Sequence, residues 1–454
     1  MYAVKKSEIS FGFVVGTTSL AFVVSQLDVS IVNVALPQIG RSFTADVSTL
    51  QWIVDAYTIA FAVLMLSAGG MSDLFGSKRL FQAGLLVFGL ASIGCGLAWS
   101  PLALIGFRAI QGAGSAIMIP SSLSILNHMF SAEPNKRSRA VSLWTAAGGV
   151  SIAAGPVLGG LLMQISNWRM IFLVNIPICL IGILCSIKLK ESAGNENRGF
   201  DIPGQLIWML AITALIAAII EWHHLGTNSP FIYGGMIFSA GMLGLFVWRE
   251  KKARAPILPL DLFKSTNFNV LIGVGMVLNG TYYGTVFILS LYLQNVLNYS
   301  SIAAGMAFLP LTAGFIISNL TSGKLMQKYG IRVPILIGLF IFSMGCFCLL
   351  IAGPNTPYWQ LLVPFLALPL GMGLAVPAMT TGTLATVDRN RSGIASAVLN
   401  TTRQAAGAVG VALFGAMATG GTTAIVQAIM ISSVSTGACV LLYTILVFTY
   451  LKNN

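Results

Sequence analysis

Leu27-Asp28-Val29-Ser30-Ile31-Val32-Asn33-Val34-Ala35-Leu36-Pro37 decides how this chain is read. The stretch closes an apolar run that begins at Phe11 and reads as a membrane-spanning helix, except that it carries a carboxylate. An acidic side chain at the centre of a lipid-spanning segment costs at least about 2.5–3.5 kcal/mol, so Asp28 is expected to face protein or water and to have a task there. Asn33 lies further along the same helix, roughly 140° around at about 100° per residue, so the two need not share a face.

The composition points the same way. Of 454 residues 56% are hydrophobic and 8% charged, against about 25% charged in a soluble domain. An all-α polytopic membrane protein is expected. A span needs about 20 apolar residues, or ~30 Å at 1.5 Å per residue. By that measure fourteen are expected, at about 11–36, 50–70, 80–99, 101–125, 140–163, 169–187, 203–222, 232–248, 268–293, 302–323, 333–352, 358–382, 392–418 and 425–450. The first is too long for a signal-peptide core and is expected to be retained. Cys95, Cys179, Cys185, Cys346, Cys348 and Cys439 all fall inside apolar runs and read as small buried hydrophobes. Cys346-x-Cys348 has no His or acid beside it, so no metal site is expected.

A net charge of +12 in a soluble chain would suggest nucleic acid. Here the placement of the charges explains it. With the N-terminus inside, all of the 25 Lys and Arg residues except Arg41, Arg108, Arg169 and Arg403 fall in inner segments. Arg41 and Arg169 are then outside, and the other two lie within helices. This bias puts both termini in the cytoplasm and makes nucleic acid an unnecessary partner. The longest inner connections are 188–202 and 249–267; the second mixes apolar and basic residues and reads as an interfacial segment or a solvated linker.

An internal repeat sets the architecture. Gly69-x3-Asp73-Leu-Phe-Gly76-Ser-Lys78-Arg79 recurs, with both glycines at the same offset, as Gly323-x3-Gln327-Lys328-Tyr-Gly330-Ile-Arg332. A weaker echo pairs Gln111-Gly112-x-Gly114 with Leu370-Gly371-x-Gly373. The first copy lies between the second and third expected helices, the second between the tenth and eleventh. Two six-helix bundles with two helices inserted between them follow. The expected divisions are 1–190, 191–265 for the linker with the inserted pair, and 266–454.

With these residues in view, the chain resembles a major facilitator superfamily transporter of the fourteen-helix drug:proton antiporter type (QacA/EmrB). Gly69–Arg79 resembles the superfamily's loop motif, with Leu74 and Ser77 where basic residues are usual. Leu104–Gly112 resembles the fourth-helix motif, and Gly155-Pro156-x-x-Gly159-Gly160 the antiporter motif, with Ser151 where an earlier glycine is common. Leu27–Pro37 and Thr402-Arg403-Gln404 resemble signatures of the first helix and the second half. The resemblance implies a major facilitator fold and proton-driven export of lipophilic, monocationic or neutral drugs and toxic compounds, with no cofactor beyond the proton gradient. It implies a monomer in the plasma (bacterial inner) membrane, in contact with lipids, and leaves an accessory periplasmic adaptor open. The tenth expected helix lacks an acid, which argues against divalent cargo. The connection between the last two helices is also shorter than in typical members.

Asp28, Asp55 and Arg108 are expected roughly 8–12 Å from the outer ends of their helices at about 1.5 Å per residue. They read as a proton-coupling and substrate cluster together with Asn33 and Tyr57. A guanidinium favours the charged carboxylate, and dry burial favours the neutral one. A carboxylate alternating between such settings can take up and release a proton. The other reading is a static salt bridge, Asp55–Arg108 above all. Gly69, Asp73, Gly76, Lys78 and Arg79 read as a gating loop, in which Asp73 caps a helix and the two cations clamp acids. Gly148, Gly149, Gly155, Pro156, Gly159 and Gly160 read as a closely packed or bending helix. Arg403 has no acid in view and is placed against backbone or cavity. Glu221-Trp222-His223-His224 reads as an interfacial anchor rather than a metal or pH site. Nucleophile-elbow, phosphate-loop and metal-ligand motifs are missing, which leaves an enzyme without support. The competing functions are export of a specific metabolite, siderophore or lipid, and a receptor that does not transport.

Overall fold

The computed structural model describes residues 10–191, 201–226, 229–253, 256–387 and 392–451. They form sixteen α-helices: α1 Phe11–Phe43, α2 Val47–Phe75, α3 Ser77–Gly96, α4 Pro101–Met129, α5 Pro134–Ile165, α6 Met170–Leu173, α7 Asn175–Ser186, α8 Ile202–Leu225, α9 Pro230–Lys252, α10 Thr266–Leu291, α11 Ser301–Ala307, α12 Leu309–Tyr329, α13 Arg332–Cys348, α14 Tyr358–Ala385, α15 Ser392–Met417 and α16 Thr422–Tyr450. No strand occurs among the described residues.

Eleven of the resulting spans are long and apolar enough to cross a membrane, and twelve if α5 counts as one span bent by 43°. The bend lies just before Pro156, where the ring clashes with the preceding turn. Fourteen spans were expected. The segments that fall short are helical, but α6–α7 is brief and the polar run Asn400-Thr-Thr-Arg403-Gln404 interrupts the apolar sequence of α15.

Helix α1 runs beyond its expected end at 36, through Pro37 to Phe43. Pro37 has no N–H to give the carbonyl of Asn33. That freed carbonyl instead accepts a hydrogen bond from Ser290 Oγ of α10, and Gln294 Nε2 donates to Val34 O at 2.9 Å. The proline therefore creates a docking point between two distant parts of the chain. Thr44, at φ 50°, ends the helix.

The repeat glycines are explained by the turns. Gly76 (φ 89°) joins α2 to α3, and Gly330 (φ 75°) joins α12 to α13. A side chain there would be strained in the left-handed region. At Gly410 the reason is proximity: a Cβ would fall on the carbonyl of Gly280 where α15 crosses α10.

Helices α1–α5 and α7 pack chiefly on one another, as do α10 and α12–α16. The pair α8–α9 lies beside the seam. Ile212, Ile216 and Ile219 of α8 meet Ile59 and Val63 of α2 and Ala408 and Ala412 of α15. Gln205 Nε2 donates to Val63 O at 2.6 Å, and Ser67 Oγ donates to Gln205 Oε1. At the start of α8 Asp201 accepts the N–H of Gly204 at 3.1 Å and is gripped by Arg249 of α9 at 2.6–3.0 Å.

Burial pushes the Asp201 carboxyl up, but the hydrogen bonds from Arg249 and Gly204 and the guanidinium charge outweigh it and hold it below its ordinary value of 3.8. A depressed folded-state value means the pair stabilises the protein above about pH 4 and that this contribution fades as pH falls through the lower value. Asp201→Asn is expected to lower the thermal midpoint at pH 7 and to flatten the loss of stability on acidification below about pH 4, read by unfolding of purified protein across pH. An unchanged acid limb would contradict the pairing.

Candidate functional site

The site begins with one carboxylate. Asp28 is 0% exposed, and Arg108 on α4 is 1% exposed, so this is an ion pair wholly out of water. Arg108 Nη1 donates to Asp28 Oδ2. Asp28 Oδ1 accepts from Gln111 Nε2 and from Asn175 Nδ2 of α7, each at 2.9 Å. Three donors thus converge on two oxygens, as a buried anion requires.

The guanidinium is equally committed. Its Nε donates to Ile53 O at 3.1 Å, and Nη1 also donates to Gln111 Oε1 at 2.7 Å. Its centre lies 4.4 Å from the Tyr57 ring and 5.8 Å from that of Phe172. The Tyr57 hydroxyl is 2.7 Å from both Ser25 Oγ and Ser115 Oγ. Gly112 lets α4 come this close, since a Cβ there would overlap the carbonyl of Tyr57. Tyr57, read as part of the proton-coupling and substrate cluster, has its ring taken by the protein's own arginine.

Asp55 does not join the cluster. It is fully buried, and neither carboxylate oxygen has a hydrogen-bond partner among the described residues. It lies one turn beyond Gln51, whose Nε2 donates to Val411 O and Ala412 O of α15 at 3.2 and 2.6 Å, so the two share a face. Of the expected cluster, Asp28 and Arg108 meet while Asp55 stands apart, so the alternative Asp55–Arg108 bridge does not form. The reason is rotational: Ile53 and Tyr57 occupy the α4 side of α2, which leaves Asp55 turned toward the seam.

Asn33 is on a different face of α1 from Asp28. Its side chain donates to Val29 O at 3.1 Å, and it lines a cavity of about 40 Å³ with Val29, Ser30, Ile152, Pro156, Tyr282, Tyr283 and Phe315. The cavity lies between α1 and α5 on one side and α10 and α12 on the other. Helix α5 reaches α1 through glycines: a Cβ on Gly155 would overlap Ser30, and one on Gly159 would lie 2.9 Å from Ile31. Gly148 meets Phe22, whereas Gly149 and Gly160 face Phe315 and the Ser301–Ile302 backbone.

At the start of α3 the clamp has one acid among the described residues. Lys78 N–H donates to Glu191 Oε1 at 3.0 Å, Lys78 Nζ to Ile187 O at 2.8 Å, and Arg79 lies 3.8 Å from the Glu191 carboxylate. Gly69 and Asp73 fall within α2, but the Asp73 side chain, and with it the expected cap, lies outside the described residues. Arg403 is next to Asn279, 3.4 Å from its Oδ1, and its Nε has no partner among the described residues. Glu221 accepts from Trp52 Nε1 at 2.9 Å and Ser48 Oγ at 3.4 Å, tying α8 to α2. The side chains of His223 and His224 lie outside the described residues.

Sequence reasoning missed Gln111, Asn175 and Ser92, whose hydroxyl accepts from Gln111 Nε2 at 2.8 Å. Gln111 sits one turn from Arg108, and Asn175 is an amide at the head of an apolar helix; both signals were available.

Removing one member of a buried pair leaves the other uncompensated, at about 3–5 kcal/mol. Arg108→Leu should therefore destabilise the protein by about that amount, and adding Asp28→Asn should recover a large part of it. Equilibrium unfolding of both variants in detergent tests this; additive losses would mean the two side chains do not depend on each other.

The profile of the Major Facilitator Superfamily matches residues 18–411. The chain is 36% identical over 407 residues to the methylenomycin A resistance protein of Bacillus subtilis, covering 87% of this chain and 85% of that one. It is 34% identical over 401 residues to the multidrug resistance protein Stp of Mycobacterium tuberculosis, covering 88% and 74%. Among solved structures, the crystal structure of the peptide transporter POT in complex with sulfate superposes with a TM-score of 0.73 at 14% identity, covering 96% of this chain and 94% of that one. At that identity the likeness speaks to the fold alone. Profile, relatives and fold agree: this integral membrane protein belongs to the Major Facilitator Superfamily.

Proposed function

We propose that the chain exports lipophilic drugs and related toxic compounds across the plasma membrane in exchange for protons, and that Asp28 is the coupling acid. The names of its relatives, resistance proteins for methylenomycin A and for multiple drugs, support the cargo class. The observation that carries the mechanism is the Asp28–Arg108 pair, buried between α1 and α4 and fully supplied with donors.

Protonation of Asp28 cancels its attraction to Arg108 and turns one acceptor oxygen into a donor. The Oδ1 of Asn175, buried and without a hydrogen-bond partner among the described residues, is the acceptor at hand once that amide turns. Helix α1 carries the change. One face holds Asp28, and the other holds Asn33 and Ser30, against the cavity and α5. Its hydrogen bonds from Ser290 and Gln294 grip α10. A loosened Asp28 frees α1 to shift against the glycines of α5.

The cavity of about 40 Å³ has room for little more than water, whereas drug-sized ligands occupy roughly 300–1,000 Å³. Binding thus requires the walls to part. The lining has no carboxylate, which favours neutral or monocationic compounds over divalent cations. One proton supplies about 2.3 kcal/mol per 100 mV and about 1.4 kcal/mol per pH unit, enough for export against a tens- to hundredfold gradient of a neutral solute.

We assign fourteen crossings of the QacA/EmrB type: the eleven clear spans, α5, α6–α7 and α15. The bundles are 1–190 and 266–454, the inserted α8–α9 lies in 191–265, and both termini are cytoplasmic, as the clustering of Lys and Arg favours. The transporter acts as a monomer with no cofactor, its driving force the proton gradient.

In proteoliposomes with an imposed pH gradient and a panel of dyes, antiseptics and tetracyclines, the wild type is expected to move at least one compound. Asp28→Asn should reconstitute normally yet release no protons when cargo is added. Accumulation against a gradient by the variant would remove Asp28 from the coupling role.

A further inference from the structure

Arg41 and Arg169 are the two cations that the positive-inside pattern does not explain. They stand far apart in sequence, yet the fold brings both to one cavity at the end of the molecule opposite Phe11. That cavity is open to solvent, has a volume of about 730 Å³, and is lined mainly by polar side chains, among them Gln38, Gln294, Asn298 and Ser301. No carboxylate is among its lining residues. Asp46, the nearest acid in sequence to Arg41, caps α2 through the N–H of Thr49 at 2.8 Å.

Both guanidiniums are held from behind. Arg169 Nη2 donates to Ala98 O at 3.0 Å, and its centre lies 4.3 Å from the Trp168 ring. Arg41 Nε donates to Pro37 O at 3.3 Å. Among the described residues each uses one N–H in this way and keeps the rest of its donor fork. Trp168 and Gln38 also line the wall.

We propose that this cavity binds a phosphate-type oxyanion, either free or as a phospholipid headgroup. Two arginine forks with the amide donors of Gln294 and Asn298 suit tetrahedral phosphate oxygens. Arg41 and Arg169 belong to the first half of the chain, whereas Gln294 and Asn298 come from the connection between α10 and α11 and Ser301 from the start of α11. A bound anion would therefore join the halves at the same place where Gln294 already holds Val34 O, and would favour the state closed at this end.

The test needs no cargo, so it stands or falls apart from the transport reading. Full-length protein in phosphatidylcholine nanodiscs is unfolded thermally while inorganic phosphate is titrated against chloride at matched ionic strength. A second set of nanodiscs contains phosphatidylglycerol. A saturable rise in midpoint with phosphate identifies a free anion, and a rise only with phosphatidylglycerol identifies a headgroup; either supports the site. Arg41→Gln and Arg169→Gln should each weaken the response about tenfold or more, Arg→Lys should keep part of it, and Lys324→Gln should leave it unchanged. Should Arg169→Gln not fold, Arg41→Gln, at an exposed helix end, decides. The absence of a saturable response in both nanodisc sets, or a response that survives the Arg→Gln changes, overturns the proposal.

Discussion

A carboxylate and a guanidinium taken entirely out of water must satisfy each other, and in this protein that requirement organises the first half of the chain. Asp28 and Arg108 draw α1 against α4, Gln111 and Asn175 fill the remaining lone pairs, and Tyr57 closes over the cation. Replacing such a pair by apolar side chains is often neutral or stabilising, so stability alone is a weak reason to keep it. A charge that can be switched off is a better one. The surroundings fit that use: Asn175, whose Nδ2 donates to Asp28 Oδ1, has its own Oδ1 buried without a hydrogen bond among the described residues.

Helix α1 is the element through which a change at Asp28 reaches the rest of the molecule. Pro37 withholds a hydrogen bond from Asn33, Ser290 takes the vacant carbonyl, and Gln294 takes its neighbour. On the α5 side, glycines bring backbone close to Ser30 and Ile31, leaving little slack between the two helices. Close contact without side-chain interlocking is what allows one helix to slide on another. The pair α8–α9 leans on α2 and α15 across the seam, pinned by Gln205 and Glu221 near the two ends of α8. In the proposed cycle it accompanies α2 rather than opening a path of its own.

Much of this was legible in the chain. A charge inside an apolar run is conspicuous, so Asp28, Asp55, Arg108 and Arg403 stood out at once, and the repeated glycines marked two equivalent turns, at Gly76 and Gly330. Which acid meets Arg108 was not legible. Depth along a helix follows from counting residues, but rotation about its axis needs an apolar face distinct from a polar one, and helices apolar on both sides supply none. Asp55 was accordingly placed with Arg108, while Ile53 and Tyr57 hold that side of α2. Gln111 and Asn175 were overlooked because a neutral amide in an apolar helix attracts less notice than a charge. Helix α1 runs past the expected span end at 36 because the hydrogen bond that Pro37 withholds is replaced from another helix.

The most direct measurement is the infrared difference spectrum of the purified protein between high and low pH, with and without a transported compound, read in the carboxylic-acid C=O region. If Asp28 changes protonation, a band from a buried protonated carboxyl should grow on acidification, diminish when cargo binds, and be missing in Asp28→Asn. A spectrum in which that band is indifferent to cargo, or is unaltered by the substitution, would show that the Asp28–Arg108 pair holds helices together and does nothing more.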